Sequence, residues 1–268
     1  MFRVQADRVG IVVSHAAHLL TVAGLIQRFR PHMLVVTTTR TGSGAGQTSI
    51  VSKVMSRLGL LERLTFLEFD EPESYERALT GDFGHHADMA VAILAWLEAT
   101  NPDAVFGDGL ELSNWQHDVC RAALDAAIEV RRRAGARVLN YEFPLSSVAR
   151  GRDELRYGVF PGGPHEMIRL TPDEVLMKRE VVEWASHLDP LVRRVGPLYP
   201  DELATERFRA VPAQRDYAVA PAEFDLYYDR LGRAAVADGR YQQAILFHQH
   251  FVPAARAIRR RMGLAAAA

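Results

Sequence analysis

This 268-residue sequence predicts an α/β fold: a three-layer αβα, Rossmann-like domain with a mainly parallel sheet and a C-terminal helical extension. Three observations point to it. Short β-branched runs alternate with helical stretches through the first half, the pattern of a parallel sheet covered by helices on both faces. Runs such as Val9 to Val13 are apolar at every position, as strands buried on both faces are. A hydrophobic content of 48% over this length is enough to bury one large core.

The elements are expected in the following order. Val9 to Val13 is the first strand, and a helix follows in which Leu19, Leu20, Val22, Ala23 and Ile26 are apolar. Met33 to Thr39 is the second strand, running into the Gly-rich loop TRTGSGAGQTS. That loop fits neither the Walker spacing nor G-x-G-x-x-G. A helix from about Ser49 to Leu60 and a third strand, Leu64 to Phe69, come next. The polar stretch 70–86 reads as a long loop that delivers His85 and His86 to a helix over Ala87 to Ala99. Asp103 to Phe106 is the fourth strand, and a helix over about Asp118 to Arg133 precedes a fifth strand, Arg137 to Tyr141. Beyond it, residues 150–165 are Gly-rich and charged. Thr171-Pro172 caps a long helix, with Pro at its first helical position. The Pro- and Arg-rich stretch 188–223 reads as a wrap around the domain. A last helix is expected over about Gln242 to Arg261. The division implied is an α/β unit over 1–210 and a C-terminal helical extension packed on it over 211–268.

Charge narrows the partners. The formal net charge is −1 and the pI near 6.8, which does not predict binding to nucleic acid or a membrane surface. The lone cysteine, Cys120, excludes an intramolecular disulfide and suits a reducing cytoplasm. MFRVQADR lacks the apolar core of a signal peptide, and no apolar run reaches the roughly 18 residues of a membrane span. A small-molecule substrate is the expected partner, and homo-oligomerisation is left open.

Chemistry concentrates where the first strand ends. In open α/β sheets ligands bind beyond the carboxyl ends of the strands. His15 and His18, three residues apart on a first helical turn, lie on one face and so can share a metal ion. His117 sits at the corresponding edge of the fourth strand and completes a set of three. Three imidazoles suit Zn²⁺, with Fe²⁺, Ni²⁺ and Co²⁺ also compatible.

At these residues the sequence resembles the PIG-L or LmbE-like family of zinc-dependent N-deacetylases. That family carries Pro-His-Pro-Asp-Asp-Glu after its first strand and His-Pro-Asp-His at a later helix start. Here these positions read Ser14-His15-Ala16-Ala17-His18-Leu19 and Asn114-Trp115-Gln116-His117. SRLGLLERLTFLEFDEP, NPDAVFGDG, VLNYEFP and KREVVEWASH are similar to the family's intervening segments, so the likeness spans most of 8–210.

The resemblance implies that His15 and His117 keep two zinc ligands and that His18 replaces an aspartate ligand. It also implies that the general base is lost to Ala17, the first histidine of the second motif to Asn114 and its aspartate partner to Gln116. Three neutral imidazoles leave the site one unit more positive than two imidazoles and a carboxylate, which acidifies coordinated water further. Amide cleavage must still protonate the leaving amine, and Asn114 can donate a hydrogen bond but no proton.

Asn114, Asp108 and His165 are therefore the candidate catalytic residues, with Glu111, His85 and His86 as other sources of a proton. Arg40, His85, His86 and Gln116 are the candidate substrate-binding residues. The function implied is metal-dependent chemistry on a small polar metabolite, amide hydrolysis being the family's default. A repurposed lyase, cyclase or hydratase and a ligand-binding pseudoenzyme are the alternatives.

Overall fold

The computed structural model describes residues 6–38, 43–148, 155–186, 203–213 and 215–265. In chain order its elements are β1 (Val9–Val13), a 3₁₀ turn (Ala16–His18), α1 (Leu19–Phe29), β2 (His32–Thr38), α2 (Ser43–Arg57), β3 (Leu64–Asp70), α3 (Glu71–Leu79), α4 (Gly84–Thr100), β4 (Ala104–Asp108) and α5 (Trp115–Arg133). There follow β5 (Leu139–Phe143), a hairpin of β6 (Ser146–Val148) and β7 (Leu155–Tyr157), β8 (Glu166–Arg169), α6 (Pro172–Ser186), β9 (Thr205–Ala210), α7 (Tyr227–Ala237), a π turn (Phe247–Phe251) and α8 (Val252–Arg261).

The seven-stranded sheet runs β3-β2-β1-β4-β5-β9-β8. Its first five strands are parallel, and β9 pairs antiparallel with both β5 and β8. Because side chains alternate along a strand, the buried β-branched runs feed two cores at once. Val12, Leu34, Val36 and Val105 point to the face covered by α4, α5 and α8. Ile11, Val13, Met33, Val35 and Phe106 point to the face covered by α1, α2 and α6. The three-layer α/β fold is present as expected.

Several expected boundaries are corrected. The stretch after β3 is not a loop. Asp70 caps α3, its side chain accepting the Glu73 N–H at 3.4 Å, and Pro72 falls in the first turn, where a missing donor costs nothing. Helix α4 begins at Gly84, so His85 and His86 are in its first turn, and α5 begins at Trp115. Helix α2 starts at Ser43, inside the stretch expected to be a loop.

Strand β5 is displaced two residues from Arg137–Tyr141. The Val138 carbonyl accepts the Arg132 guanidinium at 2.6 and 2.9 Å, and pairing with β4 starts only at Ala104↔Leu139. Thr205 to Ala210, read as part of a wrap, is a strand of the sheet. Its inward positions are Phe208 and a buried glutamate, Glu206, paired with Lys178 at 3.6 Å, and that glutamate breaks the hydrophobic alternation by which strands are read.

The C-terminal segment differs as well. Helix α7 lies within the expected helical extension, in a stretch for which the sequence predicts no individual helix. The last helix does not begin at Gln242: residues 242–246 carry no helix, the Leu246 N–H is taken by His250 Nδ1 at 2.8 Å, and the chain turns through π geometry into α8. Pro253, in the first turn of α8, has no N–H to offer the preceding turn. Phe247, Phe251 and Ile258 are fully buried against the α4–α5 face.

Candidate metal centre

Strand β1 ends at Val13, and the chain turns at Ser14 where three strand ends meet. The Ser14 N–H donates to Asp108 Oδ2 at 2.6 Å, at the end of β4, and the Ser14 carbonyl accepts the Thr37 N–H of β2 at 2.8 Å. This clamp sets the 3₁₀ turn that carries His18. Asp108 Oδ1 lies 2.7 Å from His18 Nδ1, so Nδ1 holds a proton toward the carboxylate and Nε2 is the nitrogen turned toward His117. Both partners are buried.

His117 approaches from α5. Asn114 caps that helix, its Oδ1 accepting the Gln116 N–H at 2.8 Å and the Tyr75 hydroxyl at 3.2 Å. The first turn so formed aims His117 Nε2 at His18 Nε2, 3.2 Å away, with the rings edge to face at 4.3 Å. The His15 ring lies 5.9 Å from that of His18, centroid to centroid. The three imidazoles singled out in the sequence are thus neighbours, with His18 next to each of the other two. Among the described residues no group of three or more His, Cys, Asp or Glu side chains is arranged to hold a metal ion as it stands.

The residues nevertheless suit one. Two nitrogens bound to a single tetrahedral ion at about 2.0–2.1 Å stand about 3.3–3.4 Å apart, close to the His18–His117 spacing. Burial, with the neighbouring His18 adding to it, pushes His117 well below the usual histidine range, so its imidazole is neutral and carries the lone pair a metal needs. Burial works against ionisation of Asp108, but His18 and the hydrogen bonds outweigh it and hold the carboxyl below its usual range. Asp108 is therefore placed to orient His18 through that hydrogen bond.

The remaining candidates are placed as follows. His86 is sealed, with no exposure, and burial together with His85 pushes it down to about 4. His85 is half-buried, its Nε2 held 3.1 Å from Ser74 Oγ. Gln116 is buried, and neither end of its amide has a partner among the described residues. Glu111 is buried and accepts the Leu145 N–H. His165 is exposed at the start of β8, three places from β4 in the sheet, its Nδ1 3.3 Å from the Gly163 carbonyl. Arg40 lies outside the described residues. Sequence reasoning missed Tyr75, which reaches Asn114 only because α3 exists.

A comparison with protein-family sequence patterns finds no match, and one with curated proteins finds none either. Solved structures do match. A deacetylase–bog complex from the teicoplanin biosynthesis pathway superposes with a TM-score of 0.50 at 12% identity, over 77% of this chain and 100% of that one. A deacetylase triple mutant of the same pathway gives 0.50 at 13% identity with the same coverage. The chain has the fold of these deacetylases. At such identities the likeness is one of architecture, and the chemistry has to be argued from the side chains. Among the described residues no helix is long and apolar enough to cross a membrane.

Proposed function

We propose that this chain is a divalent-metal-dependent amidohydrolase acting on a small polar N-acyl metabolite. The observation that carries the reading is the His18–His117 pair of facing Nε2 atoms, backed by Asp108 at the carboxyl edge of a deacetylase-type sheet. His18 and His117 would hold the ion, with His15 completing the set and Zn²⁺ the favoured metal. When bound, the ion supplies Lewis acidity toward an acyl carbonyl. The chain's own residues do the rest. Asp108 keeps the His18 tautomer, and the Asn114 cap sets the pose of His117 while leaving its own Nδ2 to donate a neutral hydrogen bond to substrate. On this reading residues 1–210 form the metal-binding unit and 211–268 the extension packed on it. Buried Cys120, its Sγ 3.5 Å from Met89 Sδ, supports a reducing compartment, the cytoplasm.

Elemental analysis tests the centre. Purified wild type is expected to hold close to one divalent ion per chain and His18→Ala none, and equal metal in both would remove His18 from the site. Asp108→Asn is expected to weaken zinc binding about 10–100-fold, because an amide can accept the Nδ1 proton but brings no charge. Competition against a chelating dye measures this, and an unchanged affinity would show that Asp108 does not tune His18. Amine release from a panel of N-acetyl amino sugars tests the reaction, with His15→Ala as control.

A further inference from the structure

Amide hydrolysis needs a group that takes a proton from water and returns it to the departing nitrogen. Around the imidazoles the obvious candidates are already committed. Both Asp108 oxygens are bonded, to His18 and to Ser14. Glu111 is buried on a backbone N–H, His86 is sealed, and Asn114 does not ionise. Asp118 and Asp70 accept backbone N–H groups as well, whereas among the described residues Glu71, on the helix that the sequence hid, is a carboxyl not so committed.

We propose that Glu71, the first residue of α3, is the proton carrier of this site, a role that rests on the amidohydrolase reading. Its position follows from the sheet. Phe69 of β3 is registered on Thr37 of β2, and Thr37 is bonded to Ser14, so the chain leaves β3 at the edge from which His18 and Asp108 leave β1 and β4. Tyr75, one helical turn on from Glu71 and on the same face of α3, has its hydroxyl on Asn114, the cap of the helix that carries His117. Glu71 therefore stands on the face of α3 turned toward the imidazoles. It is half-buried, and its carboxyl has no hydrogen-bond or ion-pair partner among the described residues.

The electrostatics agree with that position. Burial raises the Glu71 carboxyl above its usual range, His18 acts the other way and Asp70 adds to the rise. The titratable groups whose charge it senses or alters are His18, Asp70, Tyr75 on its own helix and Cys120 of α5. A carboxyl so placed is poised to exchange protons closer to neutrality than an exposed glutamate. In the reaction the oxygen of water bonds to the acyl carbon while Glu71 takes one of its protons. Glu71 then delivers that proton to nitrogen as the C–N bond breaks. The remaining acid proton passes through solvent to the amine, and the products are a carboxylate and an ammonium ion.

The test uses the full chain loaded with zinc and the panel of N-acetyl amino sugars. Glu71→Gln is expected to lower kcat about 10²–10⁴-fold with KM and zinc content unchanged, and to lose the acidic limb of the pH–rate profile. Glu71→Asp should return part of the rate. A Glu71→Gln variant as active as wild type would overturn the role alone. Wild type that releases no amine would overturn the hydrolase reading and this role with it. Infrared difference spectra of wild type against Glu71→Gln give a readout without substrate. The protonated carboxyl band is expected to persist above the pH at which exposed glutamates ionise, and a band that titrates with them would refute the assignment.

Discussion

Deleting the chain from Tyr241 onward is expected to abolish the native fold. The deletion removes Phe247, Phe251 and Ile258, each fully buried, together with Val252, Ala254, Ala255 and Leu264. These side chains form one cluster with Ile93 and Leu97 of α4 and with Trp115 and Val119 of α5, and the Phe251 ring stands edge to face with Trp115 and Tyr217. Truncating a single buried phenylalanine costs about 3–5 kcal/mol. A whole domain is stable by only about 5–15 kcal/mol, so losing two such rings and a buried isoleucine exceeds what the rest can supply. It would also uncover Trp115 at the start of the helix that holds His117. Soluble yield and circular-dichroism melting measure the effect, and a melting curve equal to that of the full chain would show the segment to be dispensable.

The second large effect is expected at Arg215. Its guanidinium lies 2.7 Å from Glu142 and 3.6 Å from Asp125, two carboxylates that also engage Arg209 and Arg121. The cluster ties β5, α5 and β9 to the segment that leads into the C-terminal helices. Arg215→Met leaves two buried anions short of a cation, a class of change that costs about 3–5 kcal/mol. Burial by itself would raise both carboxyls, but the guanidinium groups outweigh it and hold them below their usual range.

Groups held low in the folded chain stabilise it fully above their unfolded pKa of about 4, and that stabilisation is lost as pH falls. Removing Arg215 lets the two carboxyls rise, so the penalty should be largest near neutrality and shrink toward about pH 5. Urea midpoints at the two pH values test this. Equal midpoints for variant and wild type at neutral pH would mean that Arg209 and Arg121 suffice.

The structure also separates what is local in this chain from what is not. Strand and helix alternation is a local property, carried by hydrophobic spacing, and β1 to β4 stand close to where periodicity puts them. The three histidines were legible for the same reason: each follows a buried strand, and parallel strands bring their carboxyl ends together wherever they lie in the chain. Helix α3 was not legible, because Asp70 and Pro72 read as turn residues until the cap shows them to be a helix start. Strand β9 was hidden by Glu206, whose burial is tolerable only because Lys178 meets it from α6.

The sequence by itself determined the fold class, the parallel part of the sheet and the presence of His15, His18 and His117 at its edge, since these follow from residue period and strand polarity. Only the tertiary structure decided that Asp108 meets His18 and that Tyr75 of α3 meets Asn114. Each of those contacts joins residues tens of positions apart whose distances no local pattern encodes.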